Sequence, residues 1–222
     1  MYLIGITGGI SSGKSTVSNL IKQKGFSVID ADKVSREVLI KNGKAFDECV
    51  AEFGSIILNR SGDIDRDKLG EIIFTDPIKR KKLNSIMHSK IRVKLLKEVF
   101  YCFSKNEKIV FLDIPLLIES NLTFFFKEVI VVFTTKDIQL KRLMMRNNFS
   151  KFQAETRINS QMDLNKKLKF ATKVIDNNGT LDNTTSQVFK FLDEMNFNTF
   201  SPYQILCSFL ICFSGLICFF II

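Results

Sequence analysis

The chain has 222 residues, of which 25% are charged and 45% hydrophobic, and 32 Lys and Arg against 23 Asp and Glu give a formal net charge of +9. This composition is typical of a globular protein with a core, and it argues against long disorder, collagen-like sequence and a protein with several membrane spans. Five cysteines without a C-x-x-C pair and a single His disfavour a zinc site or a disulfide framework and fit a reducing compartment.

The pattern of apolar residues predicts short strands that alternate with longer helices. The predicted strands are residues 2–7, 26–29, 109–112, 129–133 and 174–175. The predicted helices are residues 14–24, 33–41, 77–103, 136–146, 151–162 and 182–195. Short continuous apolar runs between helices indicate a parallel sheet covered by helices on both faces, so the predicted fold class is α/β. The insert from about residue 65 to 103 is predicted to be a helical subdomain leaning over one edge of the sheet.

The N-terminal residues show no secretory leader, whereas the C-terminal residues look like a membrane span. Residues 205–222, ILCSFLICFSGLICFFII, contain no ionisable group except their thiols. As a helix they would rise about 27 Å, against a hydrocarbon core of about 30 Å. A buried helix and a flap over a partner are alternatives. We predict a domain at 1–196, a linker at 197–204 and a tail anchor at 205–222, with the domain facing the cytosol at the ER or the mitochondrial outer membrane.

The segment that begins at Gly8, GGISSGKS, has the phosphate-loop spacing G-x-x-x-x-G-K-[ST] directly after the first predicted strand. Glycines let backbone N–H groups converge on phosphate oxygens, and the following helix adds its positive end. Lys14 is expected to reach the β and γ phosphates, and the Ser15 hydroxyl to bind Mg²⁺. The predicted nucleotide-binding residues are Gly8, Gly9, Ile10, Ser11, Ser12, Gly13, Lys14, Ser15 and Thr16.

Carboxylates follow two of the predicted strands, at the edge where open α/β sheets bind ligands. Asp30 and Asp32 come after the second strand and Asp113 after the third. Asp32 either orients and deprotonates an acceptor hydroxyl or caps the next helix. Asp113 resembles a Walker B carboxylate that holds Mg²⁺ directly or through water, with a loop-capping role as the alternative.

Arginines on neighbouring predicted helices could close on a transferred phosphate. Arg142 and Arg146 lie four residues apart and share a helix face, and Arg157 is on the next helix. Salt bridging and solvation are the alternative roles. The polar residues at 147–150 indicate a flexible junction of the kind that a lid requires. The basic runs at 79–82 and 166–169 are either solvated helix faces or contacts for an anionic ligand or lipid, and no nucleic-acid partner is expected.

Seven segments in a fixed order resemble those of dephospho-CoA kinases. They are TGGISSGKST, VIDADKVSREV, IMHSKIR, LDIPLLIES, QLKRLMMR, RINSQM and VIDNNG, and the resemblance covers about residues 1–195. It implies transfer of the ATP γ-phosphate to the ribose 3′-hydroxyl of dephospho-CoA, the last step of coenzyme A synthesis. It also implies a phosphate-loop core, a helical CoA-binding part and a mobile lid, with ATP and Mg²⁺ as cofactors.

The resemblance also implies roles for single residues. Asp32 matches the family's catalytic aspartate, Arg142 its phosphate-contacting arginine and His88 a histidine on the substrate side. Apart from the resemblance, the shared helix face of Arg142 and Arg146 predicts that both bind the substrate. Asn177 and Asn178 lie in the segment that resembles the stretch near the adenine. At position 89 the chain has serine where the family usually has proline.

Three other functions stay open at the level of the sequence. The first is a kinase for another small nucleotide, such as a nucleoside monophosphate. The second is a switch or scaffold that binds nucleotide without turnover, although the guanine-specific N-K-x-D motif is absent. The third is a catalytically inactive homologue that acts as a membrane adaptor.

Overall fold

The computed structural model describes residues 1–195 of the chain. The strands are β1 (Tyr2–Gly8), β2 (Ser27–Asp30), β3 (Ile109–Asp113), β4 (Glu128–Phe133) and β5 (Lys173–Asp176). The α-helices are α1 (Lys14–Gln23), α2 (Ala31–Val38), α3 (Lys44–Phe53), α4 (Arg66–Thr75), α5 (Pro77–Ser104), α6 (Lys136–Asn147), α7 (Lys151–Asn159), α8 (Leu164–Lys167) and α9 (Leu181–Glu194).

The strands form one sheet in the order β2-β3-β1-β4-β5, and β1 pairs in parallel with both β3 and β4. Strand β1 is central and almost fully buried, which is why its sequence is a continuous apolar run. On one face of the sheet Ile6 and Phe111 pack with residues of α1 and α9, among them Ile21 and Phe191. The predicted α/β fold with a parallel sheet is confirmed, and the order places the ends of β1 and β3 side by side.

The chain divides into two compact units. The first contains Met1–Ile29 and the described residues from Cys102 onward, and the second contains Asp30–Tyr101. The second unit has its own core, which includes Ala45, Cys49 and Leu69. The sequence predicted an insert that begins only near residue 65 and missed α3 and α4. The insert begins earlier because apolar side chains of α2 and α3 pack in the same core as those of α4 and α5.

The predicted membrane location needs correction. None of the helices within residues 1–195 is both long enough and apolar enough to cross a membrane. The predicted tail-anchored location at the ER or the mitochondrial outer membrane is withdrawn, because the described helices give it no support. The predicted linker at 197–204 and the predicted span at 205–222 themselves lie outside the described residues.

Candidate active site

The phosphate loop connects the end of β1 to the start of α1, in the place that its sequence predicts. Gly13 caps α1 with a φ of 93°, in the left-handed region, and an added Cβ there would overlap the Asn177 side-chain amide. Both the conformation and the close approach therefore require glycine at this position. The Ser11 and Ser12 hydroxyl oxygens are buried and have no hydrogen-bond partner among residues 1–195.

Asp113 links the end of β3 to α1. Its carboxylate is buried, forms an ion pair with Lys14 Nζ and accepts a hydrogen bond of 2.7 Å from Ser18 Oγ. A buried charge is stable only when it is paired and hydrogen-bonded, and both carboxylate oxygens have such a partner here. Asp113 thus holds the loop lysine and the first helix against the central sheet.

The C-terminal end of the phosphate loop is contacted by two residues from the β4–β5 half of the sheet. They are Arg142, on the helix that follows β4, and Asn177, directly after β5. Arg142 on α6 donates from Nη2 to the Asn177 carbonyl oxygen at 2.9 Å. Asn177, directly after β5, donates from Nδ2 to the Ser12 carbonyl at 2.7 Å and accepts from Thr184 Oγ1 at 2.8 Å. Arg142 Nη1 is buried without a partner in the described part of the chain, and it lies beside Gly13.

Three other predicted site residues make different contacts. Asn178 Oδ1 accepts from Thr134 Oγ1 and from the Thr135 backbone N–H, at 2.9 and 2.8 Å, so Asn178 fixes the start of α6. Arg146 is exposed and donates to its neighbour Asn147. The Arg157 guanidinium lies 4.4 Å from the centre of the Phe149 ring, a cation–π contact.

Two of the predicted substrate-side residues, Asp32 and His88, lie in the second unit. Asp30, and not Asp32, caps α2, because the Asp30 carboxylate accepts from the Lys33 backbone N–H at 3.0 Å. The capping alternative for Asp32 is therefore wrong, and Asp32 is an exposed residue of the first turn. Partial desolvation lowers the pKa of His88 on α5, and the charge of Arg92 lowers it further.

Ser89 stands in the middle of an uninterrupted α5, where the family usually has proline. Its hydroxyl donates to the Ile86 carbonyl at 3.1 Å. Serine keeps the backbone N–H that a proline would remove, so α5 runs from Pro77 to Ser104 without a break.

Three residues that support the loop were missed by the sequence analysis. Gln139 Nε2 donates to the Ile10 carbonyl at 2.8 Å, and the Ile10 N–H donates to Gln161 Oε1 at 2.9 Å. Lys167 is fully buried; its ammonium donates to the Gly8 carbonyl at 3.1 Å and pairs with Glu119 at 2.8 Å.

Lys167 belongs to the basic run at 166–169, which was expected to be a solvated face or an anion contact. Lys166 and Lys169 are exposed, whereas Lys167 is not. Leu164 is buried three residues earlier on the same helix face, but no feature of the sequence around Lys167 indicated that a lysine would be buried there.

Comparison with known proteins identifies the family. The family model for dephospho-CoA kinase matches residues 2–183. The chain belongs to the dephospho-CoA kinase family. A dephospho-CoA kinase of Listeria innocua is 50% identical over 190 residues, which is 86% of this chain and 95% of the relative. That of Geobacillus kaustophilus is 47% identical over 191 residues, again 86% of this chain and 95% of the relative.

Solved structures agree with this family. A dephospho-CoA kinase from Campylobacter jejuni matches with a TM-score of 0.65 and 32% identity, covering 86% of this chain and 96% of the other. The crystal structure of TT1252 from Thermus thermophilus matches with a TM-score of 0.76 and 30% identity, covering 88% and 98%.

The chain is thus a phosphotransferase that uses ATP and acts as a dephospho-CoA kinase, at the last step of coenzyme A synthesis. The three alternative functions left open by the sequence are set aside: a nucleoside monophosphate kinase, a nucleotide-binding switch or scaffold, and an inactive membrane adaptor.

Proposed function

We propose that residues 8–16 hold the ATP phosphates during transfer of the γ-phosphate to the 3′-hydroxyl of dephospho-CoA. The supporting observation is that three polar atoms in the loop or beside it are buried without a partner in residues 1–195, namely Ser11 Oγ, Ser12 Oγ and Arg142 Nη1. Buried polar groups are hydrogen-bonded as a rule. A ligand with several anionic oxygens would satisfy all three, and the phosphate chain of ATP has this chemistry.

Lys14 and Arg142 are proposed to stabilise the negative charge of the phosphoryl group during its transfer. Lys14 is paired with Asp113, and exchanging this partner for the β and γ phosphates would keep its charge compensated. Arg142 is already fixed by its bond to the Asn177 carbonyl, so its second nitrogen is held in place for a phosphate oxygen. Donors fixed before the reaction stabilise developing charge without reorganisation. Asn177 and Asn178 are proposed to line the nucleotide side of the site.

The residues present fit a Mg²⁺ ion. Mg²⁺ in such sites takes one or two protein ligands and completes its shell with water and substrate phosphates, so no dense cluster of acids is needed. Ser15 is exposed in the first turn of α1, and the Asp113 carboxylate lies at the end of β3. We assign Ser15 and Asp113 to the ion, Asp113 directly or through water. Bound there, Mg²⁺ supplies positive charge to the phosphate oxygens.

Asp32 is proposed to be the base that accepts the proton of the acceptor hydroxyl. It is an exposed carboxylate whose neighbour Asp30 already serves as the cap of α2. His88 on α5 and Arg146 on α6 are proposed to contact dephospho-CoA. We further propose that residues 1–196 form the kinase domain, that the helical unit 30–101 binds the CoA portion, and that the lid contains the junction at residues 147–150.

The experiment compares two neighbouring carboxylates. Asp32→Asn is expected to lower kcat by about 10²- to 10⁴-fold, the usual contribution of general acid–base catalysis, with the ATP Kd unchanged. Asp30→Asn is the matched control, because asparagine caps a helix as well as aspartate does, and it is expected to keep near-normal activity. CoA and ADP are both quantified. Wild-type kcat in Asp32→Asn would refute the assignment of the base.

A further inference from the structure

Two glutamines outside the phosphate-loop motif hold one residue inside it. Ile10 donates its N–H to Gln161 Oε1 at 2.9 Å and accepts from Gln139 Nε2 at 2.8 Å. Gln139 lies buried on the first turns of α6, and Gln161 follows the end of α7 by two residues. The two bonds have opposite polarity, since one glutamine acts as acceptor and the other as donor.

These bonds are part of a regular pattern along the loop. Every second carbonyl is held by a side-chain donor from outside: Gly8 by Lys167, Ile10 by Gln139 and Ser12 by Asn177. In a trans peptide the C=O and the next N–H point in opposite directions. The N–H groups of residues 9, 11 and 13 therefore point away from these three anchoring side chains. The orientation of the loop peptides is set from outside the motif.

Packing fixes the same residue. The Ile10 side chain packs with Leu143 of α6 and Ala154 and Ile158 of α7. An added Cβ at Gly9 would overlap the Gln139 side-chain nitrogen. The loop therefore fits closely against α6 and α7, and a displaced Gln139 or Gln161 would move the peptide groups next to the phosphate site.

We propose that Gln139 and Gln161 are positioning residues for ATP, which act through Ile10 to hold the phosphate-loop peptides in the orientation that binds the phosphates. The proposal rests on the proposed role of residues 8–16 in binding ATP. Neither glutamine is required to touch the substrate.

The opposite polarity of the two bonds gives a reciprocal test. Glu at position 161 keeps an oxygen acceptor for the Ile10 N–H, whereas Glu at position 139 replaces the donor with a carboxylate that faces the Ile10 carbonyl. Met at either position removes the bond and keeps a similar volume. The full-length variants Gln139→Met, Gln139→Glu, Gln161→Met and Gln161→Glu are compared by steady-state kinetics with MgATP and dephospho-CoA.

Both Met variants are expected to raise the ATP KM about tenfold, the effect of leaving a buried backbone group without its partner. Gln161→Glu is expected to recover most of this loss, to within about threefold of wild type, whereas Gln139→Glu is expected to be at least as impaired as Gln139→Met. The KM for dephospho-CoA is expected to stay within about twofold, a separation that general loss of structure would not produce.

The proposal is overturned if Glu is no better than Met at position 161, if Glu restores function at position 139, or if both KM values rise together. Circular dichroism checks folding, and if a Met variant does not fold, Asn replaces it in the same comparison because its shorter side chain loses the reach. Lys14→Met is measured alongside. Unchanged ATP binding in Lys14→Met would place the failure in the proposed function of the loop and not in the positioning residues.

Discussion

Lys167→Met is expected to destabilise the protein more than any exposed lysine substitution. Lys167 has no exposed surface, and its ammonium donates to the Gly8 and Pro115 carbonyls, each at 3.1 Å, and pairs with Glu119 at 2.8 Å. Methionine fills a similar volume but supplies none of these hydrogen bonds. The substitution leaves two backbone carbonyls and a carboxylate without their shared donor.

The size of the effect follows from burial of the pair. Removing one partner of a buried ion pair costs about 3–5 kcal/mol, because the other charge is left uncompensated. The Glu119 side chain is 22% exposed and also accepts a bond from the Met162 N–H, so the lower end of that range applies, about 3 kcal/mol. With a urea m-value of about 2 kcal/mol/M, the unfolding midpoint should fall by roughly 1.5 M.

The assay is urea unfolding followed by circular dichroism, with Lys166→Met as the matched control. Lys166 is the adjacent, exposed lysine of the same short helix, so its substitution should change the free energy of unfolding by less than about 0.5 kcal/mol. Glu119→Gln and the double variant complete a double-mutant cycle, in which the two losses should be clearly less than additive. Equal midpoints for Lys166→Met and Lys167→Met would refute the reasoning.

Three further predictions concern pH, thiol reactivity and backbone. Because desolvation lowers the pKa of His88 below 6.5, its NMR titration midpoint, readily assigned to the one His of the chain, should lie below 6.5. The folded state then binds the His88 proton less tightly than the unfolded chain does. The free energy of unfolding should therefore fall more in wild type than in His88→Gln as the pH drops through 6.5. An NMR titration midpoint at or above 6.5 is the contrary result. Burial raises the pKa of Cys49 to about 11, so at pH 8 this thiol should resist a disulfide reagent in the native protein and react with it in urea. Rapid labelling of Cys49 in the native protein would contradict this prediction. Gly13→Ala should abolish ATP binding, because an added Cβ would overlap Asn177. Gly70→Ala, in open space on α4, should leave ATP binding intact and raise the free energy of unfolding by about 0.5–1 kcal/mol. Calorimetry of ATP binding and thermal unfolding check both variants, and ATP binding by Gly13→Ala would contradict the geometry.

The sequence was informative where one local pattern determines structure. The apolar runs of the central strands and the spacing from Gly8 to Ser15 predicted the sheet and the loop, and both are present. Helix α7 begins at residue 151, as predicted, with a capping box formed by Ser150 and Gln153. Helix α5 was predicted to within one residue at its C-terminus.

Contacts between distant parts of the chain were not accessible in the same way. Lys167 lies 159 residues from Gly8 in sequence, and Gln161 lies 151 residues from Ile10. Nothing local marks a lysine in a basic run as buried, because its burial depends on which carbonyls the fold brings to it. The start of the helical unit was misplaced for a similar reason, since α3 and α4 belong to a core that they share with α2 and α5.

The most direct test of the central claim is acceptor choice by the wild-type chain. The protein is incubated with MgATP and either dephospho-CoA or a panel of nucleoside monophosphates, and every phosphorylated product is quantified together with ADP. We expect CoA and ADP in equal amounts with dephospho-CoA, and no phosphorylation of the monophosphates. A folded protein that binds ATP but makes no CoA, or that phosphorylates a monophosphate instead, would contradict the account.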